Sequence, residues 1–485
     1  MKKNSLIQKL FSPVDLTKGS PVISLLIFRV PILISLVFQQ IYTISDAAIV
    51  GQTLSKEEVA GVNDVYGLFY IVIQFSFGCA AGFSVITSER AGENNPEGIR
   101  KSFAAQILLS SIRSVILTIV FVPLVPYLLR IIGLKEGNPV FPYAKEYLSI
   151  IYIGLFTQVF YNLIVSVLRS IGDSFAPLLF LIGSTILNIG LDFLFIVCFH
   201  WGVGGAAFAT IIAQFIAAAV SFVYCLKKYS YLRVRLSDFK IGWKSARDHL
   251  KLGLPLALQY SIIAVGLIIL EKAVIKFDLP NNVTDAEVGY GAGVKFNDFR
   301  MTPFLALGTA VLSYHGQNLG AKDFARIKKG FLDSRILVVI RYVVFGGIAA
   351  LASINGAYAR IFLSSSSLND RVRFYAKAYR LVDASCYIFL GTLIIFRNTL
   401  QGLEKPIYPF LSGVAELVGR TFISEFRPKW VDPANPVSDR AFIGVVFSDS
   451  RAWLLSLSVM GYGIYKYILR NKIAEEFSLK KEKKS

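Results

Sequence analysis

Charge is what this chain has little of. Of 485 residues only 17% are Asp, Glu, Lys or Arg, against about a quarter in a soluble globular protein, which argues against a cytosolic enzyme. Histidine is scarce, with three residues, His200, His249 and His315, all expected near loops or span ends. A membrane-embedded prenyl or acyl transferase would need an intramembrane His or an aspartate-rich metal motif, and neither is legible, so no catalytic residue and no enzyme activity is expected. Cys79, Cys198, Cys225 and Cys386 fall far apart in apolar stretches without a CxxC spacing; no metal site is expected and they read as packing residues. A small-residue cleavage site is missing after the basic first twenty residues, so the first apolar block is read as a retained helix rather than a signal peptide.

What is present is apolar side chain, 54% of the chain, with a mean hydropathy of +0.56. It comes in blocks of about 20 to 28 residues, the length a hydrocarbon core of roughly 30 Å asks of a helix. The pattern predicts an all-α integral membrane protein with twelve spans. The first six lie near 22–48, 58–88, 102–128, 142–168, 176–198 and 204–226. The second six lie near 252–277, 287–314, 331–355, 374–400, 407–425 and 441–469. The formal charge of +19 resides in short loops and at the two ends, which offers no basic domain to a nucleic acid and makes lipid the simpler partner. Loops after the even spans, with both ends, hold most of the Lys and Arg, which predicts a multi-pass protein of the inner (plasma) membrane with both termini cytoplasmic.

The polar joint from Lys227 to Lys251 divides six spans from six. The expected organisation is a segment 1–20, a first six-helix lobe 21–226, a linker 227–251, a second lobe 252–469 and a basic tail 470–485. The halves repeat. Gly82–Phe103 aligns with Gly308–Phe331, so that Val85 meets Val311 and Gly92 meets Gly320. LRSIGDSFAPLLFLIGSTILN aligns with FRNTLQGLEKPIYPFLSGVAELV, so that Arg169 meets Arg397 and Gly183 meets Gly413. Six spans is an even number, so the repeat is parallel, an arrangement that suits a transporter whose lobes rock about a central cavity.

Five motifs then carry a resemblance: VPILISLVFQQIYTISDAAIVGQ in span one, LRSIGDSFAPLLFLIGSTILNIGLDFLF around span five, WGVGGAAFATIIAQ opening span six, GQNLGA at Gly316 to Ala321, and LQGLEKPIYPFLSGVAELVGR near span eleven. In this order, from about Gly19 to Lys466, the chain resembles the multidrug and toxic compound extrusion (MATE) transporters, within them the DinF-like branch. The resemblance implies a two-lobed antiporter that exports organic, often cationic compounds against an inward flow of protons or sodium ions. No cofactor is implied beyond that gradient. The alternative within transport is a lipid-linked oligosaccharide flippase of a related fold, which would line its cavity with Arg or Lys for pyrophosphate; spans one, two, four and five hold few.

An ionised Asp at a helix centre costs about 2.5 to 3.5 kcal/mol on insertion scales, so each intramembrane acid needs a reason. Asp46 and Asp192 lie in the outward halves of spans one and five and are expected to share one pocket. Gln39, Tyr42 and Asp46 fall three and four apart on one helix face, and Asn188 stands one turn from Asp192. Matched to the DinF-like pattern, Asp46 and Asp192 fall on the coupling aspartates, and Asn188, Thr210, Tyr42 and Gln39 on positions around them. The competing account makes both aspartates structural acids pinned by hydrogen bonds. In the repeat Asp192 faces Phe422, Asn188 faces Val418 and Asp46 faces Leu270, so coupling is expected in the first lobe only. Glu271 in span seven is the candidate for a second-lobe cation site, against a local ion pair with Lys272 or Lys276. Where sodium-linked relatives carry a glutamate, soon after Leu254 and Pro255, this chain reads AlaLeuGlnTyrSerIleIle. Glu416 and Arg420 are expected to pair within their helix. The stretch 425–440 is longer and more polar than expected between the last two spans, and the AspSerArg at 449–451 is expected to interrupt the final span, so the resemblance is poorest there.

Overall fold

A computed structural model of the chain describes residues 10–279, 283–353, 363 and 368–482, and among these only helices and the turns between them occur. The elements are α1 (Pro21–Thr53), α2 (Lys56–Asp64), α3 (Tyr66–Gly92), α4 (Pro96–Ile131), α5 (Phe141–Ile153), α6 (Leu155–Ser170), α7 (Phe175–Asp192) and α8 (Gly202–Lys228). After the linker come α9 (Trp243–Ile275), α10 (Asp285–Gly320), α11 (Phe324–Ser353), α12 (Asp370–Gly402), α13 (Ile407–Val431), α14 (Asp439–Ile464) and the short α15 (Lys472–Glu482). With α2–α3 and α5–α6 each read as one broken span and the short α15 set aside, the described helices match the expected twelve. Among the described residues eight helices are long and apolar enough to cross a membrane, and the α5–α6 pair, bent by 46° at Gly154, makes a ninth. The spans outside that set, α10, α11 and α13, carry more charge, of which Arg341, Glu416 and Arg420 are buried.

The breaks have local causes. Ser55 caps α2 with a reciprocal box: its Oγ accepts from the Glu58 N–H, and the Glu58 carboxylate accepts from the Ser55 N–H at 2.9 Å. Asn95 accepts from the Gly98 N–H at 2.8 Å, with Pro96 following, and so starts α4. Asp173 does the same for α7, accepting from the N–H groups of Phe175 and Ala176, while its other oxygen takes Lys228 Nζ at 3.1 Å and Tyr229 Oη at 2.6 Å. Large apolar residues face outward along α4 (Ile112, Ile116, Ile119) and α11 (Ile336, Ile340, Val343), as lipid-facing surfaces require.

The chain forms two units, Met1–Ala257 with Gly316–Ala321, and Leu258–His315 with Lys322–Ser485. Their boundary thus falls inside α9 and again inside α10. In the first unit the cause is close backbone packing. A Cβ on Gly78 would lie 2.6 Å from the Ala257 Cα, and one on Gly82 2.6 Å from the Gly253 Cα. A Cβ on Gly92 would strike the Gln317 carbonyl, and one on Gly320 the Glu89 carbonyl. The two glycines paired by the repeat therefore make reciprocal contacts where α3 crosses the last turn of α10. The second unit packs α14 on α13 and α12, and α11 on α12, around Leu270, Phe277, Tyr375, Tyr379 and Phe442.

Two expectations about the end of the chain are corrected. The polar run 425–440 is partly helical, since α13 continues to Val431 and α14 begins at Asp439, and 449–451 does not interrupt α14. Asp449 is tolerated there because Arg420 of α13 binds it.

Candidate coupling site

In the first unit α1 packs against α7 and α8. This brings Asp46 and Asp192, far apart in sequence, into electrostatic reach of each other. Asp192 is fully buried and half-buried Asp46 lies beside it. Asp192 is the last α-helical residue of α7, and Phe193–Cys198 continues as a π-helical turn, a distortion frequent at functional sites. Neither Asp192 oxygen, nor either end of the fully buried Asn188 amide, has a hydrogen bond of ordinary geometry among the described residues; the same holds for one oxygen of Asp46.

The surrounding residues divide. Tyr42 of α1 donates its hydroxyl to Thr210 Oγ1 of α8 at 3.3 Å, which ties the two helices beside the aspartates. Gln39, on the same face of α1 as Tyr42 and Asp46, is exposed, and its side chain takes no part in a hydrogen bond among the described residues. Tyr147 of α5, absent from the sequence reading, lies buried within electrostatic reach of Asp46, Asp192 and Tyr42. Nothing in its local sequence marks it, because α5 reaches the site only through tertiary packing against α8. Two carboxyls held this close, away from bulk water, can keep one proton between them. Among the described residues no three His, Cys, Asp or Glu side chains gather into a metal-sized cluster.

A second polar cluster lies elsewhere in the first unit. Gln106 Nε2 donates to Thr87 Oγ1 at 2.6 Å, Thr87 and Ser102 share a hydrogen bond of 2.9 Å, and Ser102 meets His249 Nε2 at 3.0 Å. These partners make His249 a structural residue of the α4–α9 contact.

The second unit is built differently. Phe422 and Val418, which the repeat sets against Asp192 and Asn188, are exposed apolar residues, and Leu270, set against Asp46, is buried. Glu271 is exposed, and Lys276, one of its expected partners, pairs instead with Glu425 at 2.6 Å. Gln259, in the stretch where sodium-linked relatives would carry a glutamate, is buried and accepts from Gln401 Nε2 at 3.1 Å. The Glu416–Arg420 pair forms at 2.9 Å as expected, but within a larger network: Arg397 reaches Glu416 at 3.0 Å and Arg420 reaches Asp449 at 2.6 Å. Arg300 stands 3.9 Å from Asp383, with its guanidinium 4.2 Å from the Tyr387 ring centroid.

Known proteins bear out this arrangement of helices. The MatE family model matches residues 31–194 and 282–422. The chain is 30% identical over 318 residues to the probable multidrug resistance protein YpnP of Bacillus subtilis, covering 64% of this chain and 68% of that one. It is 24% identical over 456 residues to YoeA of the same organism, also named a probable multidrug resistance protein, covering 93% and 94%. A solved MOP superfamily transporter from Pyrococcus furiosus superposes with a TM-score of 0.81 at 21% identity, over 96% of this chain and 99% of that one. The chain belongs to the MATE family of multi-pass membrane transporters.

Proposed function

We propose that the protein is a secondary active antiporter that exports organic, cationic compounds in exchange for protons by alternating access, with Asp46 and Asp192 as the proton carriers. Both termini lie on the cytoplasmic side of the plasma membrane in this reading. The observation that carries it is the contrast between Asp192 and the structural acids of the same chain. Asp173 is saturated by two backbone N–H groups, Lys228 and Tyr229, and Asp449 is bound by Arg420. Asp192 is equally buried, has no such partner among the described residues, and faces a second carboxyl. A merely structural acid would not be kept at that cost.

The exposure of Glu271 and the apolar repeat positions Phe422 and Val418 support coupling in the first lobe, and neutral Gln259 supports protons over sodium ions. The names of the two Bacillus subtilis relatives support drug or metabolite export over a lipid-linked oligosaccharide flippase. One proton exchanged for one monovalent cation moves no net charge, so the pH difference drives that exchange, and each further proton entering down 100 mV adds about 2.3 kcal/mol.

The test is ethidium efflux from energised vesicles, with a pH-gradient dye read in parallel, for the wild type, Asp46→Asn, Asp192→Asn and Glu271→Gln. Efflux that dissipates the proton gradient and stops in either Asp variant supports the reading. Efflux that follows sodium and stops only in Glu271→Gln overturns it.

A further inference from the structure

The GQNLGA run at the end of α10 holds two buried amide side chains, Gln317 and Asn318, and both spend hydrogen bonds outside their own helix. The Leu16 N–H donates to Gln317 Oε1 at 3.1 Å, and Asn318 Nδ2 donates to the Leu16 carbonyl at 3.1 Å. One residue of the irregular segment before α1 thus has both its backbone groups satisfied by two consecutive side chains of α10. Gln317 also donates through Nε2 to the Ser170 carbonyl, the last residue of α6, at 2.8 Å. The Val14 N–H donates to the Gly172 carbonyl at 2.9 Å, and the Phe11 ring meets Phe175 edge-on at 4.7 Å. Leu16 is completely buried. Gly172 sits at φ +90°, and a Cβ there would strike the Val14 carbonyl.

We infer that residues 11–18 form a strap that holds the last turn of α10 against α3 and the α6–α7 turn, and that this strap lets go and re-docks once in each transport cycle. Two features beyond the contacts point this way. First, α10 belongs to the second unit over most of its length, and only Gly316–Gly320 at its end counts with the first. Motion of α10 as a rod therefore has to break the Leu16 contacts together with the Gly92–Gln317 and Gly320–Glu89 contacts. Second, the strap runs directly into α1, which begins at Pro21 and bears Asp46. A shift of α1 when its carboxyl changes charge is transmitted to the strap through a short covalent link, and so to α10. The strap holds one access state, and a ligand or ion that favours the other state has to release it.

The inference rests on the alternating-access reading above. It is tested with Leu16→Cys/Asn318→Cys in a chain whose four native cysteines are replaced by Ala, reconstituted in vesicles with ethidium as probe. The reduced pair is expected to transport. Oxidation is expected to cross-link it and lower efflux by about tenfold or more, and reductant added to the same vesicles is expected to restore the rate. A cross-linked protein that transports at the reduced rate overturns the strap, as does failure of the cysteines to join. Loss that reductant does not reverse also counts against it.

Labelling gives the second measurement. Leu16→Cys alone is expected to react slowly with a permeant maleimide at rest, and at least about threefold faster with ethidium and a proton gradient present. Equal rates overturn release of the strap. If the wild type and the reduced pair both move no ethidium, the antiport reading fails instead, and labelling with the proton gradient alone decides whether the strap moves.

Discussion

Arg420 on α13 donates from Nε to Oδ1 of Asp449 on α14 at 2.6 Å, while its Nη2 lies 2.9 Å from Glu416 one turn earlier on its own helix. Both side chains are almost fully buried, and the pair is what lets an acid lie within a membrane-spanning helix. Removing the Asp449 charge takes one of two carboxylates from the buried Arg420 and leaves Glu416 as the other. Asp449→Asn is expected to destabilise the protein by about 1 to 3 kcal/mol, read as a lowered unfolding transition in detergent. An unchanged transition would deny the pair its role.

The coupling site separates two kinds of variant. Thr210→Val removes the acceptor of the 3.3 Å Tyr42 bond while keeping the shape of the side chain. Interhelical hydrogen bonds in membranes average about 0.6 kcal/mol, so ethidium efflux is expected to stay within about threefold of wild type. Asp192→Asn keeps the same volume and is expected to abolish proton-linked efflux. Equal losses in the two variants would assign Asp192 a packing role.

At the α3–α10 crossing, Gly320→Ala places a methyl against the Glu89 carbonyl. Backbone cannot turn aside as a side chain can, so a loss of about 1 to 3 kcal/mol is expected. Gly183, in the middle of α7, has open space where its Cβ would be, and Gly183→Ala is expected to be neutral or slightly stabilising. Thermal melts of the two variants side by side check the difference.

In the linker, Asp238 is buried, which would raise its pKa. The Arg235 N–H at 2.7 Å and the Arg100 guanidinium at 2.9 Å outweigh that and hold its carboxyl below the usual range. A carboxyl whose folded pKa is depressed contributes stability above its unfolded value of about 3.9 and loses it as pH falls through the lower, folded value. Asp238→Asn is therefore expected to melt below wild type at pH 7, with the gap closing below about pH 4. A gap that persists in acid would give the residue a non-ionic role.

Much of the architecture was legible because a bilayer reads sequence coarsely. Blocks of apolar residues, Gly and Pro joints and the run of basic loops specify twelve spans before any contact is known. The repeat is legible too, through Gly92 and Gly320, because a backbone crossing tolerates no side chain and so fixes residue type in both halves. Asp46 and Asp192 stand out for the cost of a carboxyl in hydrocarbon.

What the sequence alone determined, then, is the set of helices, their repeat and the two acids that demand a reason. The tertiary structure decided which polar residues meet. Tyr147 joins the aspartates, because packing partners settle what faces inward. Asp449 was read as a break and is a buried ion-pair partner, because the energy of a charge depends on the helix packed beside it. The start of α9 and the last turn of α10 group with the first unit, because both pack closely on α3. The hold of Leu16 on Gln317 and Asn318 joins residues three hundred positions apart, and only folding sets the distances and directions that a hydrogen bond requires.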